Sequence, residues 1–243
     1  MITLSKRQLI GIAGNRGSGK DTVAKAIDYI VNVGSYATYK SFEELLTDDN
    51  RWEDSPIIHF ADTLKQVINT VFNIPINVLN DRDKKDAYVY CLDTRECVPA
   101  NVAVRKQYTI YDIYDLVQHG VPNDTYHVGI FIRHLMQYIG TNVFRTRIGK
   151  NVWVDNTIYR AKRTIGCFGY CIIADVRFQN EVDAIIKNGG IVYRVIRNEK
   201  YGNADKHISE QTSQLKDCID IDNSATLLGL YYKVYDLVKK DLI

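Results

Sequence analysis

Gly14, Gly17, Gly19 and Lys20 crowd into one short stretch. It lies behind the apolar run Leu9-Ile10-Gly11-Ile12-Ala13 and ahead of Val23-Ala24-Lys25-Ala26-Ile27, which keeps helical spacing. The spacing Gly14-x4-Gly19-Lys20 between a strand and a helix is that of a P-loop. Glycines let successive backbone N–H groups converge on an anion with no Cβ in the way, and the helix N-terminus adds its partial positive charge. Gly14, Asn15, Arg16, Gly17, Ser18, Gly19, Lys20, Asp21 and Thr22 are therefore the candidate seat for nucleotide phosphates, with Lys20 reaching the β- and γ-phosphates as a mobile point charge. Asp21 stands where Ser or Thr normally helps hold Mg²⁺, and Thr22 follows it. Either Asp21 acts on the metal, directly or through water, or Thr22 shares that work. The plain alternative for the whole stretch is a glycine turn joining a strand to a helix.

Further candidates lie downstream. Asp62 and Lys65 fall in the first turn of a helical pattern that follows the apolar run Pro56–Ala61, where open α/β sheets place ligand-contacting groups; a helix cap beside a solvated lysine is the other reading. Arg133, Arg145 and Arg147 flank a glycine break and form a plausible anion clamp, because guanidinium groups grip phosphate oxygens through paired hydrogen bonds. Asp175 closes the apolar run Gly169–Ala174, the usual position for holding Mg²⁺ in P-loop proteins, and Arg177 stands beside it for a phosphate. His207 is either a base or part of a helix start. Cys91, Cys97, Cys167, Cys171 and Cys218 lack the paired spacings of a zinc site and read as reduced thiols packed as small apolar groups.

The elements that must carry these residues alternate strand, helix, strand, the pattern of a parallel, doubly wound sheet. The first helix spans Thr22 to about Val33 and stops at Gly34. A short helix and a surface loop occupy 36–55. Strands follow at 56–61, 169–175, 191–197 and 219–223, with helices at 62–72, 180–186 and 227–242. Between them, 87–92 and 96–98 pair as a hairpin, 108–117 is a strand end and a helix, 128–139 is a helix ending at Gly140, and Trp153 opens another. The chain is expected to form one domain over 1–243, with a segment at about 80–127 inserted beside the nucleotide core. Its 243 residues, 46% hydrophobic, suffice for one substantial α/β core. Thirty-one basic against 29 acidic residues argue against a nucleic-acid coat or a polybasic membrane binder. With no apolar run of membrane-spanning length and no room for a signal peptide, a cytoplasmic location is expected.

An ordered set of residues resembles the deoxynucleoside monophosphate kinases of large tailed phages and related viruses. The set comprises Gly17-Ser18-Gly19-Lys20-Asp21-Thr22; Phe60-Ala61-Asp62-Thr63-Leu64-Lys65, where the family usually has Pro in place of Thr63; Arg133-x-Leu135; Gly140-Thr141; Phe144-Arg145; Trp153-Val154; Asp175-Val176-Arg177-Phe178-x-Asn180-Glu181; Gly189-Gly190; and His207-x-Ser209-Glu210. It covers nearly the whole chain, while the segment Tyr88 to Tyr126 departs from the compact family pattern. The resemblance implies a nucleoside-monophosphate-kinase-like three-layer α/β fold and transfer of the γ-phosphoryl group of ATP to deoxynucleoside 5′-monophosphates, serving viral DNA precursor synthesis. It implies Mg²⁺ held by Asp21, Thr22 or Asp175, and a lid at about 141–155 whose Arg145 and Arg147 close over the transferring group. Asp62, Lys65, Arg133, Gly140, Thr141, Trp153, Asp155 and Arg177 would place the acceptor. Lys20, Arg145, Arg147 and Asp175 would be the catalytic set, in a protein with no nucleic-acid or membrane partner and possible homodimerisation. The rivals are a kinase for another small phosphorylated acceptor and a P-loop ATPase switch.

Overall fold

The computed structural model describes residues 8–15, 17–48, 52, 54–81, 83–120, 127–197 and 212–242. Its strands, in chain order, are β1 Leu9–Gly14, β2 Ile57–Ile58, β3 Tyr88–Cys91, β4 Glu96–Pro99, β5 Thr109–Tyr111, β6 Val128–Phe131, β7 Cys171–Val176, β8 Ile191–Ile196 and β9 Ile219–Asp222. The chain divides into two compact units, one made of Met1–Phe60 with Val154–Ile243 and the other of Ala61–Trp153. The segment expected as an insertion, 80–127, falls inside the second unit.

In the first unit, five strands form a sheet in the order β2-β7-β1-β8-β9, with every pairing parallel. The near-continuous apolar spelling of β1 and β7 reflects burial on both faces, as parallel sheets require. Ile10 and Ile12 face a cluster with Val23, Ile27, Ile30 and Phe42 from the helices Lys20–Val33 and Tyr39–Leu45, joined by Tyr231 and Val234 of the helix Leu227–Leu237. Leu9 and Ala13 face the opposite cluster with Val154 and Ile158 of the helix Val152–Phe168 and Val182 and Ile185 of the helix Gln179–Lys187. The result is a three-layer α/β arrangement. Gly11 makes the second face possible, because a Cβ there would lie 2.7 Å from Ile185 Cδ1. The connection leaving β1 covers one face and the helix between β7 and β8 covers the other. The carboxyl end of β1 is therefore where the connections part, the place where such sheets hold ligands.

The second unit carries a mixed sheet, β4-β3-β6-β5, in which β3 runs antiparallel to β4 and β6, while β5 and β6 are parallel. The hairpin expected across 93–95 forms, with Arg95 at φ 57 closing it. Ile68, Leu79, Tyr90, Ile130 and Leu135 are among the residues filling one side of this unit. Two expectations are corrected here. Val128–Phe131 is a strand and not the start of a helix, since an apolar run this short fits either state and pairing with β3 and β5 decides it. Gly140 does not stop the helix that begins at Ile132. The chain continues as a π-helix, Tyr138–Ile148.

Candidate functional site

The glycine loop leaves β1 at its carboxyl end and feeds the helix Lys20–Val33. Gly17 and Gly19 take φ values of 81 and 92, a left-handed backbone that side chains disfavour. Gly14 is needed for space, because a Cβ there would sit 2.4 Å from Ser18 Oγ. The turn is closed by Ser18 N–H donating to the Asn15 carbonyl at 3.1 Å. Ser18 and Lys20 are buried, and Ser18 Oγ finds no hydrogen-bond partner among the described residues. A buried hydroxyl without a partner is costly unless a ligand meets it. Asp21 is exposed and Thr22 half-buried in the first helical turn. Arg16 and His207 lie outside the described residues.

Asp175 lies near the carboxyl end of β7, which pairs with β1, and its side chain is buried. Its Oδ1 accepts the backbone N–H of Phe60 at 2.6 Å, so the carboxylate holds the chain just past β2 as well as facing the loop's end of the sheet. Arg177 follows in a turn pinned by Glu181, whose Oε2 accepts from the N–H groups of Arg177 at 2.7 Å and Phe178 at 3.1 Å. Glu181 is itself buried, which gives that family-motif residue a physical role the sequence left blank.

Two loop partners come from far along the chain, where local spacing carries no signal of them. Thr212 Oγ1 donates to Asn15 Oδ1 at 2.5 Å, and Asn223 Nδ2 donates to the Ser18 carbonyl at 2.8 Å. Arg194 on β8 ties the flanking segment together. It forks onto Asp220 at 2.7 and 2.9 Å and donates to the carbonyls of Ser213 and Leu215 at 3.0 Å.

The remaining candidates, Asp155 apart, belong to the second unit. Asp62 and Lys65 form an i,i+3 ion pair of 3.8 Å in the first turn of the helix Ala61–Phe72. Arg133, Arg145 and Arg147 share the continuous helical run 132–148, but Arg133 is forked onto Asp86, with Nη2 at 2.8 Å from Oδ2 and Nε bonded to Oδ1. Arg145 is half-buried and Arg147 exposed. Gly140 packs so closely on Leu64 that a Cβ would lie 2.8 Å from Leu64 Cδ2, and its carbonyl accepts Trp153 Nε1 at 2.9 Å. Trp153 is buried against Phe144, ring centroids 4.6 Å apart. The Thr141 carbonyl accepts Thr146 Oγ1 at 3.0 Å. Asp155 is exposed in the first turn of the helix Val152–Phe168.

Among the described residues, no group of three or more His, Cys, Asp or Glu is placed to hold a metal ion. The five cysteines are free thiols, and burial pushes those of Cys97 and Cys171 up to about 11 and about 12. Among the described residues, no helix is long and apolar enough to cross a membrane. In comparisons with known proteins, a family model described as deoxynucleotide monophosphate kinase matches residues 8–234. No curated protein matches the chain significantly.

Proposed function

Because the chain belongs to the deoxynucleotide monophosphate kinase family, we propose that it transfers the γ-phosphoryl group of ATP to a deoxynucleoside 5′-monophosphate, giving ADP and the deoxynucleoside diphosphate for DNA precursor synthesis. The observation that carries this reading is the glycine loop at the carboxyl end of β1, whose buried Ser18 hydroxyl lacks a hydrogen-bond partner among the described residues. Its left-handed glycines and buried Lys20 at a helix N-terminus suit the β- and γ-phosphates of ATP.

In this reading residues 14–22 form a P-loop, and Lys20 spreads the charge that develops as the bond between the γ-phosphorus and the β–γ bridging oxygen breaks. The new bond forms to an oxygen of the acceptor's 5′-phosphate. A phosphomonoester has its second pKa near 6, so at neutral pH that oxygen carries no proton and the chain needs no general base. Positioning and charge neutralisation are then the whole task. Asp21, Thr22 or Asp175 would hold Mg²⁺. When bound, the ion neutralises charge on the β- and γ-oxygens. Asp62, Lys65, Arg133, Gly140, Thr141, Trp153, Asp155 and Arg177 are assigned to the acceptor on the family resemblance. Arg145 and Arg147, in the lid 141–155, are assigned to the transferring group. The whole of 1–243 acts as one kinase domain.

The test is ADP release with ATP and Mg²⁺ against each deoxynucleoside monophosphate, the ribonucleotides and a no-acceptor control. The expected result is release that depends on a deoxynucleoside monophosphate and falls by about a thousandfold in Lys20→Ala. Release without any acceptor, or near-normal turnover in Lys20→Ala, overturns the reading.

A further inference from the structure

The contact between Asn223 and the glycine loop goes beyond what a well-packed turn requires. Asn223 follows β9, is buried, and donates its backbone N–H to the Ile196 carbonyl at 2.7 Å. That bond fixes the residue beside the end of β8 and leaves its side chain to reach the loop. The side-chain group meeting the Ser18 carbonyl must be the NH₂, because a carbonyl only accepts. The approach is close: a Cβ on Gly19 would lie 2.4 Å from Asn223 Nδ2, so glycine at 19 serves this contact as well as its own left-handed φ. The turn bearing Asn223 is clamped in turn, with the Asp222 carboxylate accepting from Lys233 Nζ at 2.8 Å and from Ser224 N–H at 3.0 Å.

In a trans peptide the C=O and the following N–H point in opposite directions within one plane. Holding the Ser18 carbonyl toward β9 therefore turns the Gly19 N–H the other way. We infer that Asn223 is a positioning residue: its amide locks the Ser18–Gly19 peptide so that the Gly19 N–H faces the phosphates. Without that lock, two adjacent residues of which one is glycine could flip the peptide, turning a carbonyl oxygen toward the anion. Thr212 holds the other end of the loop through Asn15. The inference rests on the nucleotide-phosphate reading of the loop and adds how that loop is kept in register.

The test measures ADP binding by titration calorimetry at pH 8 and pH 5 for the full chain and for Asn223→Ser and Asn223→Asp, with melting temperature in the absence of nucleotide as the folding control. Both variants are expected to fold, with the melting temperature lowered by the loss of one buried hydrogen bond and further in Asn223→Asp at pH 8, and to bind ADP about tenfold more weakly at pH 8, the scale of one lost hydrogen bond together with its misorientation. Burial against the Ser18 carbonyl disfavours the charged form of the carboxyl introduced by Asn223→Asp and raises its pKa, so toward pH 5 it takes up a proton and donates to that carbonyl, and its deficit relative to wild type shrinks while that of Asn223→Ser does not. Wild-type affinity in both variants at pH 8, or equal deficits in both at the two pH values, overturns the inference. Asn223→Ser, which adds no charge, keeps the question open to decision if Asn223→Asp does not fold. A wild-type chain that takes up neither ADP nor ATP overturns the proposed function itself, and the inference with it.

Discussion

The two units hold their candidate residues by different means. In the parallel-sheet unit the holding bonds run to backbone groups and are largely sheltered: Asp175 on the Phe60 N–H, Glu181 on the Arg177 N–H, Asn223 on the Ser18 carbonyl. In the mixed-sheet unit Trp153 is held in the same way, on the Gly140 carbonyl, but the charged candidates pair with carboxylates nearer solvent: Lys65 with Asp62 and Arg133 with Asp86. A buried polar group that loses its partner costs about 1–3 kcal/mol, whereas an exposed ion pair contributes about 0–1 kcal/mol. The first arrangement is preset, and the second can exchange one anion for another at little cost. On the proposed function, a cradle that meets the same phosphates every cycle would suit the first, and side chains that release a carboxylate to receive a phosphate would suit the second.

The contrast breaks first at Asp175. Asp175→Asn keeps an oxygen for the Phe60 N–H and removes only the charge, so turnover should fall by about a hundredfold with the melting temperature nearly unchanged. Asp175→Ala should show the same kinetic loss and a stability loss of about 1–3 kcal/mol in a denaturant titration, since the Phe60 N–H is stranded. Full activity in Asp175→Asn would make the residue a structural tie and nothing more.

A smaller effect tests the second unit. Arg133→Ala should raise KM for the deoxynucleoside monophosphate by about tenfold and leave KM for ATP alone. Asp86→Ala removes a carboxylate that competes for the same guanidinium, so steady-state kinetics should give an acceptor KM equal to or below wild type. If Asp86→Ala raised that KM as much as Arg133→Ala, the pair would be a preset device too, and the contrast between the units would disappear.

The smallest effect concerns acid. Hydrogen bonds from Lys233 and Ser224 hold the Asp222 carboxyl at about 2, below its ordinary 3.8. A carboxyl depressed in the folded state stabilises it fully above the ordinary value and loses that contribution as pH falls from about 4 to about 2. The folded state of the wild type should therefore lose stability to denaturant over that window beyond the loss seen in Lys233→Met, which lacks the clamp at every pH.

What the sequence displayed was whatever local chemistry spells. Gly14-x4-Gly19-Lys20 announced the loop, Gly34 the end of its helix, and the alternating elements from Asp175 to Asp222 the parallel sheet. Val128–Phe131 was misread because its partners, β3 and β5, lie elsewhere in the chain, and a four-residue apolar run has no period of its own. Gly140 looked like a stop, yet packing on Leu64 and the bond from Trp153 make it a contact point inside a helix. Glu181 was visible only as a letter in a family motif. Asn223 and Thr212 were invisible as site residues, because nothing in an Asn after a strand tells which carbonyl it will meet.

The position of β1 in the sheet also bears on how the molecule is made. Its neighbours are β7 and β8, so the first strand of the chain finds no sheet partner until residues beyond 171 exist. Residues 61–153, with their own sheet, are complete well before that. The last bond to the glycine loop spans a separation of 205 residues, which at about 5–20 residues per second is roughly 10–40 seconds of synthesis. The glycine loop, although it precedes its partners in the chain, is thus among the last parts to gain its full set of bonds. A ribosome stalled before residue 171 would carry β1, an apolar strand, with neither of its sheet neighbours yet made, and one stalled before Asn223 would lack the bond to the Ser18 carbonyl.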